Sequence, residues 1–98
     1  MSSPIARILH FTFETAEDLN LWVMKYETET SELAKEAIQR TLIKTDETSL
    51  VICNIYRNEE DADDVFERLS KWSGTVQAAR TWESFNLTGK VVYLEPQF

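Results

Sequence analysis

The sequence predicts an α+β fold: four antiparallel strands in one sheet, with helices on one face only. Three stretches carry that expectation. Residues 50–72, LVICNIYRNEEDADDVFERLSKW, pass within a few positions from a period of two to a helical period. Residues 5–13, IARILHFTF, alternate in the same strand-like way. Between them Leu19, Trp22, Val23, Tyr26, Thr30 and Leu33 recur at helical spacing, as one apolar stripe.

Taken in order, residues 1–4 read as a tail. In the first strand Leu9, Phe11 and Phe13 form an apolar face, expected under the helices, and Ile8, His10 and Thr12 form a mixed one. Thr15 to Asp18 resembles a capping box with Asp in the third helical position, and opens the first helix. Thr28 to Ser31 is poor in helix formers, so that helix is expected to bend or stop there. Residues 37–45 suggest a second strand, and the polar turn Asp46 to Ser49 leads into a third at 50–57, making a hairpin.

Asn58 caps the next helix, 59–72, and Glu59, Glu60 and Asp61 fill its first turn, where the helix dipole favours negative charge. Ser73-Gly74 is a C-terminal stop. Residues 75–86 fit a short helix through Val76, Ala79 and Trp82, the reading adopted, although their β-branched and aromatic content also allows a strand. Gly89 ends that segment and residues 90–95, KVVYLE, are expected to form the last strand, closed by Pro96. The order βαββα(α)β is the ferredoxin-like arrangement.

Ninety-eight residues suit a single domain, 1–98, with a modest core. Seventeen acids against ten bases give a net charge of −7, which argues against nucleic acid and anionic membranes as partners. No run of about 18 apolar residues is present to span a bilayer. MSSPIARILHF has no secretion-signal pattern and the single Cys53 cannot form an internal disulfide, so a cytoplasmic location is expected.

On the third strand Val51, Cys53 and Ile55 are expected to face the helices. Ile52, Asn54 and Tyr56 would then share the helix-free face with Ile8 and His10, an apolar patch that a second copy of the chain would cover.

The strand 50–55 ending in Tyr56, the acidic helix start Asn58-Glu59-Glu60, Ala62 with Leu69, a second short helix and the terminal VVYLEP together resemble the dimeric α/β-barrel superfamily, above all its antibiotic-biosynthesis-monooxygenase-like domains. The resemblance spans nearly the whole chain. It implies a homodimer and a cavity for a small aromatic or polyketide-like molecule, with haem in some branches. Some members oxidise their substrate with molecular oxygen and no cofactor; others are isomerases, cyclases or have no known activity. Two departures stand out. Val65 and Phe66 occupy the region where many members carry a helix histidine, and the Pro-Gly turn before the second strand is missing.

His10, the only histidine, is the candidate catalytic base or ligand donor, the alternative being a hydrogen-bonded interface histidine. Asn54 and Tyr56 are candidates to hold a substrate carbonyl or oxyanion, against a satisfied polar pair in the interface. Arg40 could bind an anionic ligand or form an ion pair. Trp22, Trp72 and Trp82 are expected in the core, as is Cys53. No metal-ligand cluster, nucleotide loop or Ser-His-Asp pattern occurs, so no cofactor is expected. Two functions follow: a cofactor-independent, monooxygenase-like enzyme, or a non-catalytic ligand-binding or dimerisation module.

Overall fold

The computed structural model describes residues 4–76 and 81–95. The elements run β1 (Ile5–Phe13), α1 (Ala16–Glu29), β2 (Ala37–Asp46), β3 (Ser49–Tyr56), α2 (Glu59–Ser73) and β4 (Thr81–Lys90). The strands form one sheet in the order β2-β3-β1-β4, every neighbouring pair antiparallel. This is the expected ferredoxin-like arrangement, with β1 beside β3.

Local chemistry sets the element ends. The Thr15 side chain accepts from the Asp18 backbone N–H at 3.0 Å and starts α1. The helix stops at Glu29, as its weak sequence there suggested, and Thr30 caps it. Asn58 caps α2 by accepting from the Asp61 N–H at 2.8 Å. Gly74 ends α2 with φ −64°, so the stop makes no use of a left-handed glycine. In the β2–β3 hairpin the Asp46 carboxylate accepts from the Thr48 N–H at 2.8 Å, and the Thr48 carbonyl accepts from the Phe13 N–H, fastening the end of β1.

The helices pack on one face. Phe13, Leu50 and Ile52 of the sheet form a core with Leu19, Trp22 and Tyr26 of α1 and with Trp72 and Val76. A second core joins Ile5 and Tyr56 to Ala34, Ala62 and Val65. Opposed residues of antiparallel strands share a face. The pairs Leu9↔Ile52 and Phe11↔Leu50 therefore lie under the helices, whereas Ile8↔Cys53 and His10↔Val51 lie on the helix-free face.

This register reverses the expected facing of β3. Ile52, Asn54 and Tyr56 are buried beneath the helices, and Val51, Cys53 and Ile55 face away from them. The helix-free face keeps Ile8 but gains the exposed Ile43 and Leu87 in place of Ile52 and Tyr56. Cys53 is half-buried on that face.

The C-terminal expectation is also corrected. Residues 81–90 are a strand, not part of a helix, and 91–95 are irregular. Pairing to β1 decides the matter, since nine residues of each strand pair, from Ile5↔Lys90 to Phe13↔Thr81, with a shift of register between His10 and Phe11. Gly89 lies within β4 opposite Ala6. Residues 77–80, part of the expected short helix, and Pro96 fall outside the described residues, as does the side chain of Trp82.

Arg68 on α2 anchors the loop between α1 and β2. Its guanidinium donates to the Leu33 carbonyl at 3.2 Å and to the Glu36 carboxylate at 2.7 Å. That bond holds the Glu36 pKa below its usual 4.5. A carboxylate depressed on folding stabilises the protein above its unfolded pKa, and the contribution fades as pH falls through the lower folded value. Glu36→Gln should therefore unfold at lower urea than the wild type at pH 7, and the gap should narrow steadily below about pH 4.5.

Candidate functional site

A cavity of about 180 Å³ lies between the sheet and the two helices. Its sheet wall comes from Arg7, Leu9 and Phe11 of β1 and Ile52, Asn54 and Tyr56 of β3; its helix wall comes from Trp22 and Tyr26 of α1 and from Phe66, Leu69 and Trp72 of α2, with Ser70 and Ser73 at the same helix. The alternation that buries Leu9 and Phe11 also brings Arg7 inward, and the β3 register sets Asn54 directly opposite it.

The apolar walls are mostly rings. Trp22 stacks on Tyr26 with centroids 5.0 Å apart and meets Trp72 edge-on at 5.4 Å. Phe11 lies 5.8 Å from Trp22. Tyr26 and Trp72 close the triangle at 5.9 Å. Offset and edge contacts of this kind suit the ring quadrupoles. Arg40 braces the assembly from outside the cavity: its guanidinium sits 4.6 Å over the Tyr26 ring and donates to the Thr30 hydroxyl at 2.6 Å.

Polar groups form a short row across the sheet wall. Asn54, 3% exposed, donates from its amide to the Tyr56 hydroxyl at 3.2 Å. Burial pushes the Tyr56 pKa above its usual 10, with the Asn54 bond opposing the rise, so the phenol stays protonated at neutral pH. Arg7 reaches out to pair with Asp63 on α2 and lies 5.6 Å from the centre of the Phe66 ring. Four buried polar atoms of the lining residues have no hydrogen-bond partner: Arg7 Nε, Trp22 Nε1, Tyr26 Oη and Asn54 Oδ1. Buried polar groups are nearly always paired, and unpaired ones concentrated around one cavity are what a ligand's own polar atoms would satisfy.

Of the residues singled out from sequence, the structure brings Asn54 and Tyr56 together in this cavity and sets Arg40 behind its wall. His10 is on the opposite face of the sheet, so the expected grouping of His10 with Asn54 and Tyr56 does not form. Sequence reasoning missed Arg7, Trp22, Tyr26, Phe66 and Trp72 as cavity residues. Arg7 was findable, since it shares the parity of Leu9 and Phe11. Among the described residues no group of three or more His, Cys, Asp or Glu converges as a metal site, and no helix is long and apolar enough to cross a membrane.

Solved structures match this architecture along almost its whole length. A dimeric ferredoxin-like protein from an uncultured marine organism superposes with a TM-score of 0.71 at 17% identity, over 94% of this chain and 97% of that one. The fold is ferredoxin-like. SnoaB, a cofactor-independent oxygenase from Streptomyces nogalater, shares the ferredoxin-like fold with a TM-score of 0.66 at 11% identity, over 98% and 100% of the two chains. A candidate antibiotic biosynthesis monooxygenase from Nitrosomonas europaea gives 0.72 at 15% identity, over 95% and 94%. The resemblance read from the sequence thus holds at the level of fold. No protein-family model and no curated protein sequence matches the chain.

The Asn54–Tyr56 pair offers a test of what the polar row is for. Asn54→Leu should cost about 1–3 kcal/mol, because it strands the Tyr56 hydroxyl in the interior. Adding Tyr56→Phe removes both partners, and the double variant should regain most of that stability. Urea unfolding of the wild type, the two single variants and the double variant gives the cycle directly.

Proposed function

We propose that the chain is a homodimeric small-molecule-binding protein whose cavity takes a flat aromatic or polyketide-like compound, with cofactor-independent monooxygenation as its chemistry. The observation that carries this reading is the cavity itself: ring walls built from Phe11, Trp22, Tyr26 and Trp72 around the buried Asn54–Tyr56 pair. Its volume of about 180 Å³ is of the order of the 150 Å³ that admits benzene in an engineered core, so one ring or two fused rings suit it. Asn54 and the protonated Tyr56 would hold a carbonyl or phenolic oxygen of the substrate and stabilise charge developing there. The likeness in fold to a cofactor-independent oxygenase supports the choice of reaction.

One observation favours a second reading, a non-catalytic ligand-binding module. Among the described residues none that lines the cavity is a histidine, cysteine or carboxylate, the usual side chains for acid–base work. His10, on the helix-free face, belongs in this proposal to the dimer interface. Oxidation of 1-naphthol separates the two readings. Conversion to 1,4-naphthoquinone uses one O2 and releases one water. The protein, stripped of metals by a chelator, should consume oxygen and place one labelled atom from 18O2 in the quinone, and Asn54→Ala should lower the rate about 10²–10³-fold. Binding without any oxygen uptake would leave the module reading.

The dimer is proposed to form through the helix-free faces. Ile43 and Leu87 are 48% and 57% exposed there, beside Ile8 and Val51. Permanent interfaces of this kind bury on the order of 2,000 Å² or more. Ile43→Glu combined with Leu87→Glu should shift the sedimenting species from dimer to monomer, while a stable folded wild-type monomer at micromolar concentration would refute the assembly.

A further inference from the structure

We infer that Arg7 is the specificity-determining residue of the cavity and that it selects an aromatic compound carrying an anionic oxygen, a carboxylate above all. The inference rests on the proposed aromatic-binding reading and narrows its substrate class.

Charge distribution is the first argument. The chain carries a net charge of −7, with 17 acidic residues. Among the described residues none of the acids lines the cavity, whereas Arg7 does. The one charged side chain among the described lining residues is thus opposite in sign to the chain as a whole.

The position of Arg7 is the second argument. Its side chain is 16% exposed and spans from the interior to the rim, where it pairs with Asp63, a carboxylate left 67% exposed. An ion pair with one partner in water is worth little, because solvent screens it. The Nε of the same guanidinium is buried with no hydrogen-bond partner. Arginine presents its donors in a planar fork that matches a carboxylate. A ligand carboxylate entering the cavity would meet that unpaired donor in a less polar environment than Asp63 provides, where the charge–charge attraction is stronger.

The neighbours complete the recognition. Asn54 lies opposite Arg7 across the β1–β3 ladder, and its amide bonds to Tyr56. On its other side Asn54 faces Arg40 across the β2–β3 ladder, so the middle of the sheet wall lies between two cations. The Phe66 ring under Arg7 fixes the height of the guanidinium over α2. A ring bearing a carboxylate and an adjacent hydroxyl can therefore place its acid on Arg7, its hydroxyl toward Asn54 and Tyr56, and its aromatic body against Trp22 and Trp72.

The test compares 1-hydroxy-2-naphthoate with 1-hydroxy-2-naphthamide, which has nearly the same shape but no charge, by isothermal titration calorimetry at pH 7. The wild type should bind the acid at least about tenfold more tightly than the amide. Arg7→Met keeps the apolar stem over Phe66 and removes the charge; it should abolish the preference. Arg7→Lys should keep part of it, having the charge without the fork. Equal binding of acid and amide by the wild type overturns the inference and leaves the aromatic-binding reading intact. So does a preference that survives in Arg7→Met. Failure of both compounds to bind overturns the two together. The wild-type comparison decides even if a variant does not fold.

Discussion

The register of β1 against β3 is the constraint on which the rest of the structure depends. With a side-chain period of two, a slip of one residue would turn every side chain of a strand to the other face. The pairing observed sets Ile5 opposite Tyr56, Leu9 opposite Ile52 and Phe11 opposite Leu50, three contacts that build the core beneath the helices. The Phe13 N–H bond to the Thr48 carbonyl pins the far end of the ladder to the β2–β3 hairpin. In that register Arg7 and Asn54 cannot avoid one another, and neither can share a face with His10.

Above the sheet, Trp22 does for the helices what the register does for the strands. It touches Phe11 and Phe13 on β1, Tyr26 on its own helix and Trp72 on α2. Rings of this size have few rotamers and hold neighbouring elements at fixed spacing. The spacing leaves room between Phe11, Ile52 and Leu69 that aliphatic side chains do not fill, and that room is the cavity. Two contacts keep the rings from collapsing into it. Trp72 donates its indole N–H to Glu29 at 3.1 Å, and Arg40 lies over Tyr26 while bonded to the buried Thr30.

Most of the fold was legible because its signals are local. Thr15 and Asn58 announce their helices, Thr28 to Ser31 weakens α1 where it ends, and the polar turn at Asp46 to Ser49 joins two strands. The last strand was misread because Thr81 to Asn86 owes its state to pairing with β1, a contact between residues about seventy positions apart in the chain. The facing of β3 was misread for a different reason. Both of its alternating sets are largely apolar, and the set that seemed the better core, Val51, Cys53 and Ile55, is the one without Asn and Tyr. Polarity is a poor guide where a strand's inner face lines a site, since a site places Asn54 and Tyr56 inside where packing alone would place aliphatics. The same logic hid Arg7, whose parity pointed inward while its charge pointed outward.

The unpaired atoms around the cavity connect stability to function. Each buried donor or acceptor left without a partner costs on the order of 1–3 kcal/mol relative to a paired one. Arg7 Nε, Trp22 Nε1, Tyr26 Oη and Asn54 Oδ1 are all in that condition, and all belong to residues lining one cavity. A core selected for stability alone would have no reason to keep them, as replacing both members of a buried polar pair by apolar groups of the same shape is nearly neutral or stabilising. A binding site has a reason. An occupant that satisfies these atoms stabilises the folded chain by an amount that grows with the logarithm of its concentration relative to its dissociation constant. The polar row is thus the feature by which the cavity can tell one aromatic compound from another.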